Sequence, residues 1–310
     1  MIKKSTFLIM VIGSLLLSGC MDNRNAKEVT QDTFDSILEA DTYDITTTID
    51  INLETDLEDP FLDQYLGTIN DSEFSIDQKV DHTSNMQEAV FHVNFNLSPM
   101  SFALDLPILQ DLNEEKLYIE TDQMTENFGL FVIPEEYAGK VLAIDLSEAF
   151  AEAEAEGVNY EELNETMITI VQDHLHEKPE EDFTKEDDTY YVTFTSDDIA
   201  DFIGKLAYDF DDTLTDEDIQ KDVDEMIEAF KELNLDDVVI DYTVDGDQIE
   251  TMGVSTNFTV KDAGNYFTVD FAVNTVYNSI NEDVEFSIDP EESETVDFLE
   301  LIELMESYGY

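Results

Sequence analysis

From Tyr43 onward the chain alternates, with Tyr43, Ile45, Thr47, Ile49, Ile51 and Leu53 on one side and Thr46, Thr48, Asp50 and Asn52 on the other. Successive strand side chains point to opposite faces, so a period of two predicts a long strand with one apolar face. The alternation recurs around Phe74 and Ile76, through Phe91, Val93, Phe95 and Leu97, and at Phe102, Leu104 and Leu106. Shorter strands are expected at Leu117 and Ile119 and over Val141, Leu142, Ile144 and Leu146. In the last third, Val238, Ile240, Tyr242 and Val244 lead into Asp245-Gly246, a hairpin turn, and Met252, Val254, Phe258 and Val260 follow. After a turn around Gly264 come Phe267, Val269, Phe271 and Val273, then a last strand with Val284, Phe286 and Ile288 before Pro290. Strands this one-sided belong to antiparallel sheet with one face in water.

Elsewhere the period lengthens to that of a helix. Val29, Thr33, Phe34, Ile37 and Leu38 predict one over roughly 28–40. In the middle, Ser147 is placed to cap a helix holding Ala149 and Phe150, and a second runs near Tyr160 to His174 with Leu163, Met167, Ile170 and Val171 inside. Lys178 to Asp188 reads as a charged loop, and Tyr190, Val192 and Phe194 as a strand. Ser196 then caps a helix carrying Ile199, Phe202, Ile203, Leu206 and Phe210. Thr215 opens another with Ile219, Val223, Met226, Ile227, Phe230 and Leu233, and Val296, Phe298, Leu299, Ile302 and Leu304 form a closing helix. No proline- or glycine-rich linker separates the β-rich parts. The expectation is one α+β domain over 28–310, a curved antiparallel sheet of two meanders packed on amphipathic helices.

The first residues follow a different logic. Lys3 and Lys4 precede an apolar stretch from Phe7 to Leu17, the build of a secretory signal peptide over 1–19. That stretch is shorter than the roughly 20 residues a membrane span needs. Leu17-Ser18-Gly19-Cys20 resembles the lipobox of bacterial lipoproteins. The resemblance implies cleavage before Cys20, a diacylglyceryl group on its sulfur, and a lipidated tether over 20–27 containing Arg24 and Lys27. It also implies an extracellular protein, lipid-anchored on the outer face of the cytoplasmic membrane. Cys20 is the only cysteine, so no disulfide forms within the chain and stability comes from the core.

Charge narrows the partners. The chain carries 13 Lys and Arg against 76 Asp and Glu, a net −63; loss of residues 1–19 removes Lys3 and Lys4 and no acid, leaving −65. Nucleic acid and anionic lipid surfaces are repelled by such a chain, so membrane attachment falls to the Cys20 lipid. With 42% hydrophobic and 11% aromatic residues, the chain still builds a core rather than staying disordered. The acids read as a solvated coat suited to high salt, or as a store for cations.

The order of elements, with Leu117-Tyr118-Ile119 and Gly139-Lys140-Val141-Leu142-Ala143-Ile144-Asp145-Leu146, resembles Gram-positive surface lipoproteins with a LolA/LppX-like, lipoprotein- and lipid-carrier-like domain. The likeness covers most of 28–307 as a pattern of elements. It implies a half-barrel sheet wrapped around helices, an apolar cavity, no cofactor, and a non-enzymatic protein binding a lipid or lipidated peptide. Phe91, Val93, Phe95, Phe267, Val269 and Phe271 are candidates for the cavity wall, because alternating aromatic and β-branched residues make a broad apolar surface. The acidity and the missing basic rim depart from that pattern and point away from anionic lipid. Two alternatives stand beside it: apolar faces fully packed against the protein's own helices, and an acidic cell-envelope module that binds cations or a basic partner.

Other motifs raise chemistry of their own. Asp209-Phe210-Asp211-Asp212-Thr213-Leu214-Thr215 resembles the first motif of haloacid-dehalogenase-type phosphatases, in which the first aspartate is nucleophile, the second acid/base, and magnesium lies between. That motif must follow a buried parallel strand, whereas Ile199, Phe202, Ile203 and Leu206 keep helical spacing. The competing reading is a polar connection with Thr215 as N-cap. Asp241-Tyr242-Thr243-Val244-Asp245-Gly246-Asp247 begins like a calcium loop, but Met252 stands at its twelfth position, where a bidentate carboxylate is required. His174 and His176 sit about 200° apart on a helix and read as its solvated end. His82 and His92 read as isolated, with His92 on a polar strand face. The sequence holds no serine elbow, glycine-rich phosphate loop or cysteine nucleophile.

Overall fold

Asn25 opens the fold. Its side chain accepts from Glu28 N at 2.8 Å while Glu28 Oε2 accepts from Asn25 N at 3.0 Å, a capping box that starts α1 (Ala26–Leu38). The computed structural model describes residues 24–97, 100–122, 137–155, 160–210, 215–246, 248–262 and 265–302. The signal peptide, the Cys20 acceptor and tether residues 21–23 lie outside that set. Lys27, assigned to the tether from sequence, is already inside α1.

After α1 come β1 (Thr42–Thr55), α2 (Pro60–Asn70), β2 (Glu73–Asp81), β3 (Met86–Leu97), β4 (Met100–Asp111), β5 (Lys116–Glu120) and β6 (Val141–Asp145). The helical middle holds α3 (Ser147–Ala155), α4 (Tyr160–Glu177), a 3₁₀ turn (Glu180–Asp182), the hairpin β7 (Phe183–Glu186) and β8 (Thr189–Phe194), α5 (Ser196–Phe210) and α6 (Asp216–Leu233). The chain then returns to sheet with β9 (Val238–Asp245), β10 (Gln248–Asp262), β11 (Asn265–Ile280) and β12 (Thr295–Asp297).

Two meanders, β1 to β6 and β7 to β11, join where β1 pairs antiparallel with β11 from Tyr43↔Ile280 to Thr55↔Phe267. The result is one open, curved sheet, ordered β12-β6-β5-β4-β3-β2-β1-β11-β10-β9-β8-β7. Its only parallel pair among the described strands is β12 with β6. The antiparallel sheet with helices expected from the alternation is therefore present.

Registers carry the apolar stripe from strand to strand. Val192, Ile240, Val254, Val273, Ile49, Phe74, Val93 and Leu104 are successive cross-strand partners, so one row crosses eight strands on a single face. Helices cover one end of this face. Val29 and Phe34 of α1 pack on Tyr190 and Tyr242, and Leu175 of α4 packs on Phe183 and Val192. Gly204 of α5 lets α6 approach closely, since a Cβ there would stand 2.5 Å from Val223 Cγ2.

The opposite face is polar and short of cations, and it uses asparagine amides to satisfy its carboxylates. Asn52 donates to Asp270 at 3.0 Å, Asn274 to Asp50 at 3.1 Å and Asn278 to Asp44 at 2.9 Å, all across the β1–β11 pair. This face also carries a small core. Residues 281–294 form a strap across it, with Thr42 and Lys79 donating to the carbonyls of Glu282 and Glu285. Beneath the strap, Ile288 is buried against Leu109, Tyr118 and Val141.

Several expectations change at this point. Phe286 and Ile288 are not in a strand: β11 runs on to Ile280, and the strap leads to β12, which takes Val296 from the expected closing helix. Leu304 lies outside the described residues. The Lys178–Asp188 loop contains the β7 strand and its hairpin. Helix α2 is an addition, started by Asp59 accepting from Phe61 N at 2.9 Å, with Pro60 at its first position. The caps shift by one or two residues, because Thr195 rather than Ser196 shares a capping box with Asp198, and Asp145 accepts from the Ser147 backbone.

Candidate functional site

All six wall candidates lie on the apolar face. Phe91, Val93 and Phe95 come from β3, and Phe267, Val269 and Phe271 from β11, with β2 and β1 between them. Phe271 pairs with Ile51 and Val269 with Leu53, while Val93 reaches Ile49 through Phe74. Phe74 and Phe95 meet edge to face with centroids 5.5 Å apart, a favoured aromatic geometry.

Burial along the row is uneven, and that unevenness defines the site. At the helix-covered end Val192 is fully buried. In the middle, Ile49, Phe74, Val93, Phe95, Val269 and Phe271 are all only partly buried, and Phe91 and Val260 remain 37% and 36% exposed. Two apolar residues of α2, Phe61 and Tyr65, are also exposed. Apolar side chains on adjacent strands therefore form one partly solvated surface, which α2 meets at β1 and β3 and α6 at β10 without burying it fully.

A cavity of about 230 Å³ lies at the covered end, between α1, α4, α5 and the sheet. Phe34, Val171, Phe194, Phe202 and Ile240 line it, and so do His174 and Asp198. His174 is 7% exposed, stacks on Phe194 at 5.7 Å, and its Nε2 has no hydrogen-bond partner. Burial, with Lys205 and Lys178 nearby, holds its pKa below the ordinary histidine value, so the ring is neutral at pH 7. The solvated helix end expected here is therefore wrong for His174, because the buried stripe of α4 is Ile170, His174 and Leu175, while Met167 is exposed. His176, two residues on, is the exposed member of the pair.

Lys178 is buried beside the cavity, with Nζ 3.0 Å from both Asp182 and Asp198 and 4.7 Å from the Phe194 ring centroid. His92 is not isolated either. On the polar face its Nδ1 lies 2.6 Å from Asp105 and its Nε2 3.1 Å from Asp77. Burial alone would lower its pKa, but the hydrogen bonds and charges of the two aspartates outweigh it and raise the value. His82 packs edge-on against Tyr43.

The described residues of the remaining motifs lie in ordinary helix and strand positions. Asp209 lies in the last turn of α5, not after a parallel strand, and 211–214 are outside the described residues. Asp241, Thr243 and Asp245 belong to β9, whose turn places Gly246 at φ +68°, and Met252 pairs with Tyr242 across the hairpin. Among the described residues no group of three His, Cys, Asp or Glu is placed to hold a metal ion, and no helix is long and apolar enough to cross a membrane.

No protein-family model matches the chain, and no curated protein does. Among solved structures it is similar to one titled "Lipid-protein interactions in lipovitellin", at 10% identity and a TM-score of 0.26. The match covers 81% of this chain but only 26% of that one, so the chain spans about a quarter of lipovitellin's length.

Proposed function

We propose that this protein is a non-enzymatic, membrane-anchored extracellular lipoprotein, held by the Cys20 lipid, that binds an apolar ligand such as a lipid or lipidated peptide. The observation that carries the reading is the partly solvated apolar face from β10 through β4, with Phe91 of β3 37% exposed on it. Contiguous apolar surface of this kind is kept in water only where something is to be covered. Its aromatic and β-branched lining offers shape and area but few hydrogen bonds, which suits hydrocarbon better than a polar substrate. The polar face carries the acids, so a neutral or zwitterionic ligand fits better than an anionic one. The LolA/LppX-like resemblance supports the same reading, since it implies a curved sheet whose apolar side takes a hydrocarbon chain.

The test uses the mature chain with Cys20→Ser, so that no lipid of its own competes. Phosphatidylcholine carrying a fluorescent acyl chain should bind and be displaced by unlabelled phosphatidylcholine. Phe91→Asp and Phe271→Asp should each abolish binding while leaving the melting temperature within a few degrees, because both side chains are already partly in water. Binding that survives both changes would remove the reading. The native protein with Cys20 intact should carry a diacylglyceryl mass on its first residue; a mature form beginning elsewhere would remove the anchor.

A further inference from the structure

We propose that the cavity beneath α1, α4 and α5 binds a medium-length hydrocarbon chain ending in a neutral hydroxyl, which hydrogen-bonds to His174 Nε2. The inference rests on the apolar-ligand reading and specifies the chemistry at the covered end of the same face.

Three observations lead there. The cavity holds about 230 Å³ and its walls are mainly aromatic and aliphatic side chains of α1, α4, α5, β8 and β9. At roughly 30 Å³ per water-sized group, that is room for about eight such groups. Second, His174 lines this cavity, is 7% exposed, and has a buried Nε2 with no partner in the protein. An unsatisfied buried polar atom is costly, and a ligand that satisfies it recovers that cost on binding. Third, the ring is held in place, stacked on Phe194 and edge-on to Phe202, so its nitrogen has a fixed position.

The charge pattern selects the head group. Lys178, the buried cation beside the cavity, is committed to Asp182 and Asp198, and Lys205 to Glu177 and Asp201. A carboxylate entering here would be desolvated next to Asp198 with both cations already paired. A hydroxyl avoids that cost. It donates and accepts, so it pairs with Nε2 in either imidazole tautomer, which a carbonyl does not.

The experiment uses ¹⁵N-histidine-labelled mature chain carrying Cys20→Ser, titrated with 1-octanol and, separately, with octanoate at pH 7.5. 1-Octanol should shift the His174 Nε2 resonance saturably, and octanoate should bind at least about tenfold more weakly. His174→Phe keeps a flat ring and should weaken 1-octanol binding about tenfold, without lowering the melting temperature. His174→Gln restores a donor and acceptor and should recover part of the affinity. An unmoved His174 resonance at saturation, or equal affinity in His174→Phe, overturns the proposal. If 1-octanol binding is instead lost in Phe91→Asp with His174 unmoved, this site falls while the apolar-face reading stands; no binding of 1-octanol or phosphatidylcholine removes both.

Discussion

The Tyr242 hydroxyl donates to Thr30 Oγ1 at 2.7 Å, and both residues are fully buried. This bond fastens α1 to β9, because Thr30 Oγ1 in turn donates to Ala26 O at 2.8 Å within the helix. Tyr242 also stacks on Tyr190 at 5.3 Å and meets Phe34 edge-on at 6.0 Å, so its ring is fixed independently of the hydroxyl. Tyr242→Phe keeps those ring contacts and loses only the hydrogen bond. It should cost about 1 kcal/mol, read from denaturant unfolding with an unchanged slope. A cost near zero would mean the bond does not hold the helix.

Alkaline pH should loosen the same region. Burial, aided by Tyr43 alongside, pushes the Tyr277 phenol up to about 12, and burial raises Tyr242 as well. A phenol ionises near 10 in the unfolded chain, so the fold favours the neutral form. The stabilisation is complete below pH 10 and is lost as pH rises towards 12, at about 1.4 kcal/mol per pH unit for each such group. Melting temperature should therefore fall steeply across that window. Tyr277→Phe should shed part of the fall, and an identical slope in the variant would count against the burial of this phenol.

How much of this was readable in advance depends on which force set each feature. The period-two stripes of β1, β3, β10 and β11 were legible because side-chain direction alone produces them. The join of Tyr43–Thr55 to Phe267–Ile280 was not, since nothing local selects a partner more than 200 residues away. Phe286 and Ile288 alternate like a strand, but Ile288 is buried and Phe286 partly buried against Leu109, Tyr118 and Val141, a tertiary choice. Helix α2 had an overlooked signal in Asp59-Pro60. His174 had one too: it stands four residues after Ile170 and three after Val171, on their stripe, and only its polarity argued for the surface. The six wall candidates share a face, but none of them lines the cavity, which required knowing how three helices meet.

Glu88 is the pin of the strap. Its Oε2 accepts from Ser287 N at 2.7 Å, Ser287 Oγ at 2.9 Å and Ile288 N at 2.9 Å, and the residue is 2% exposed. Glu88→Ala leaves two strap amides and a hydroxyl without their acceptor, and should cost about 3 kcal/mol or more. Glu88→Gln keeps one acceptor oxygen and should cost less. Hydrogen exchange at residues 285–290 should quicken in the order wild type, Gln, Ala. Unchanged exchange in the Ala variant would show that Ile288 packing alone holds the strap.

His92 gives the polar face a charge that depends on pH. It bridges Asp105 on β4 and Asp77 on β2, and Asp77 also accepts from Thr46 Oγ1 at 2.8 Å, so the clamp spans four strands. The two aspartates raise the imidazole above its unfolded value near 6.5 despite partial burial. Protonation is thus favoured in the fold: the stabilisation is fully present below pH 6.5 and fades as pH rises through the folded value. On a chain of net −63, this places a local cation where lysines are few. His92→Gln should therefore lower the melting temperature more at pH 5.5 than at pH 8.5, with the gap shrinking in 1 M salt as the charges are screened. A folded-state His92 titration at or below 6.5, followed by NMR, would overturn the clamp, and so would an equal deficit at both pH values.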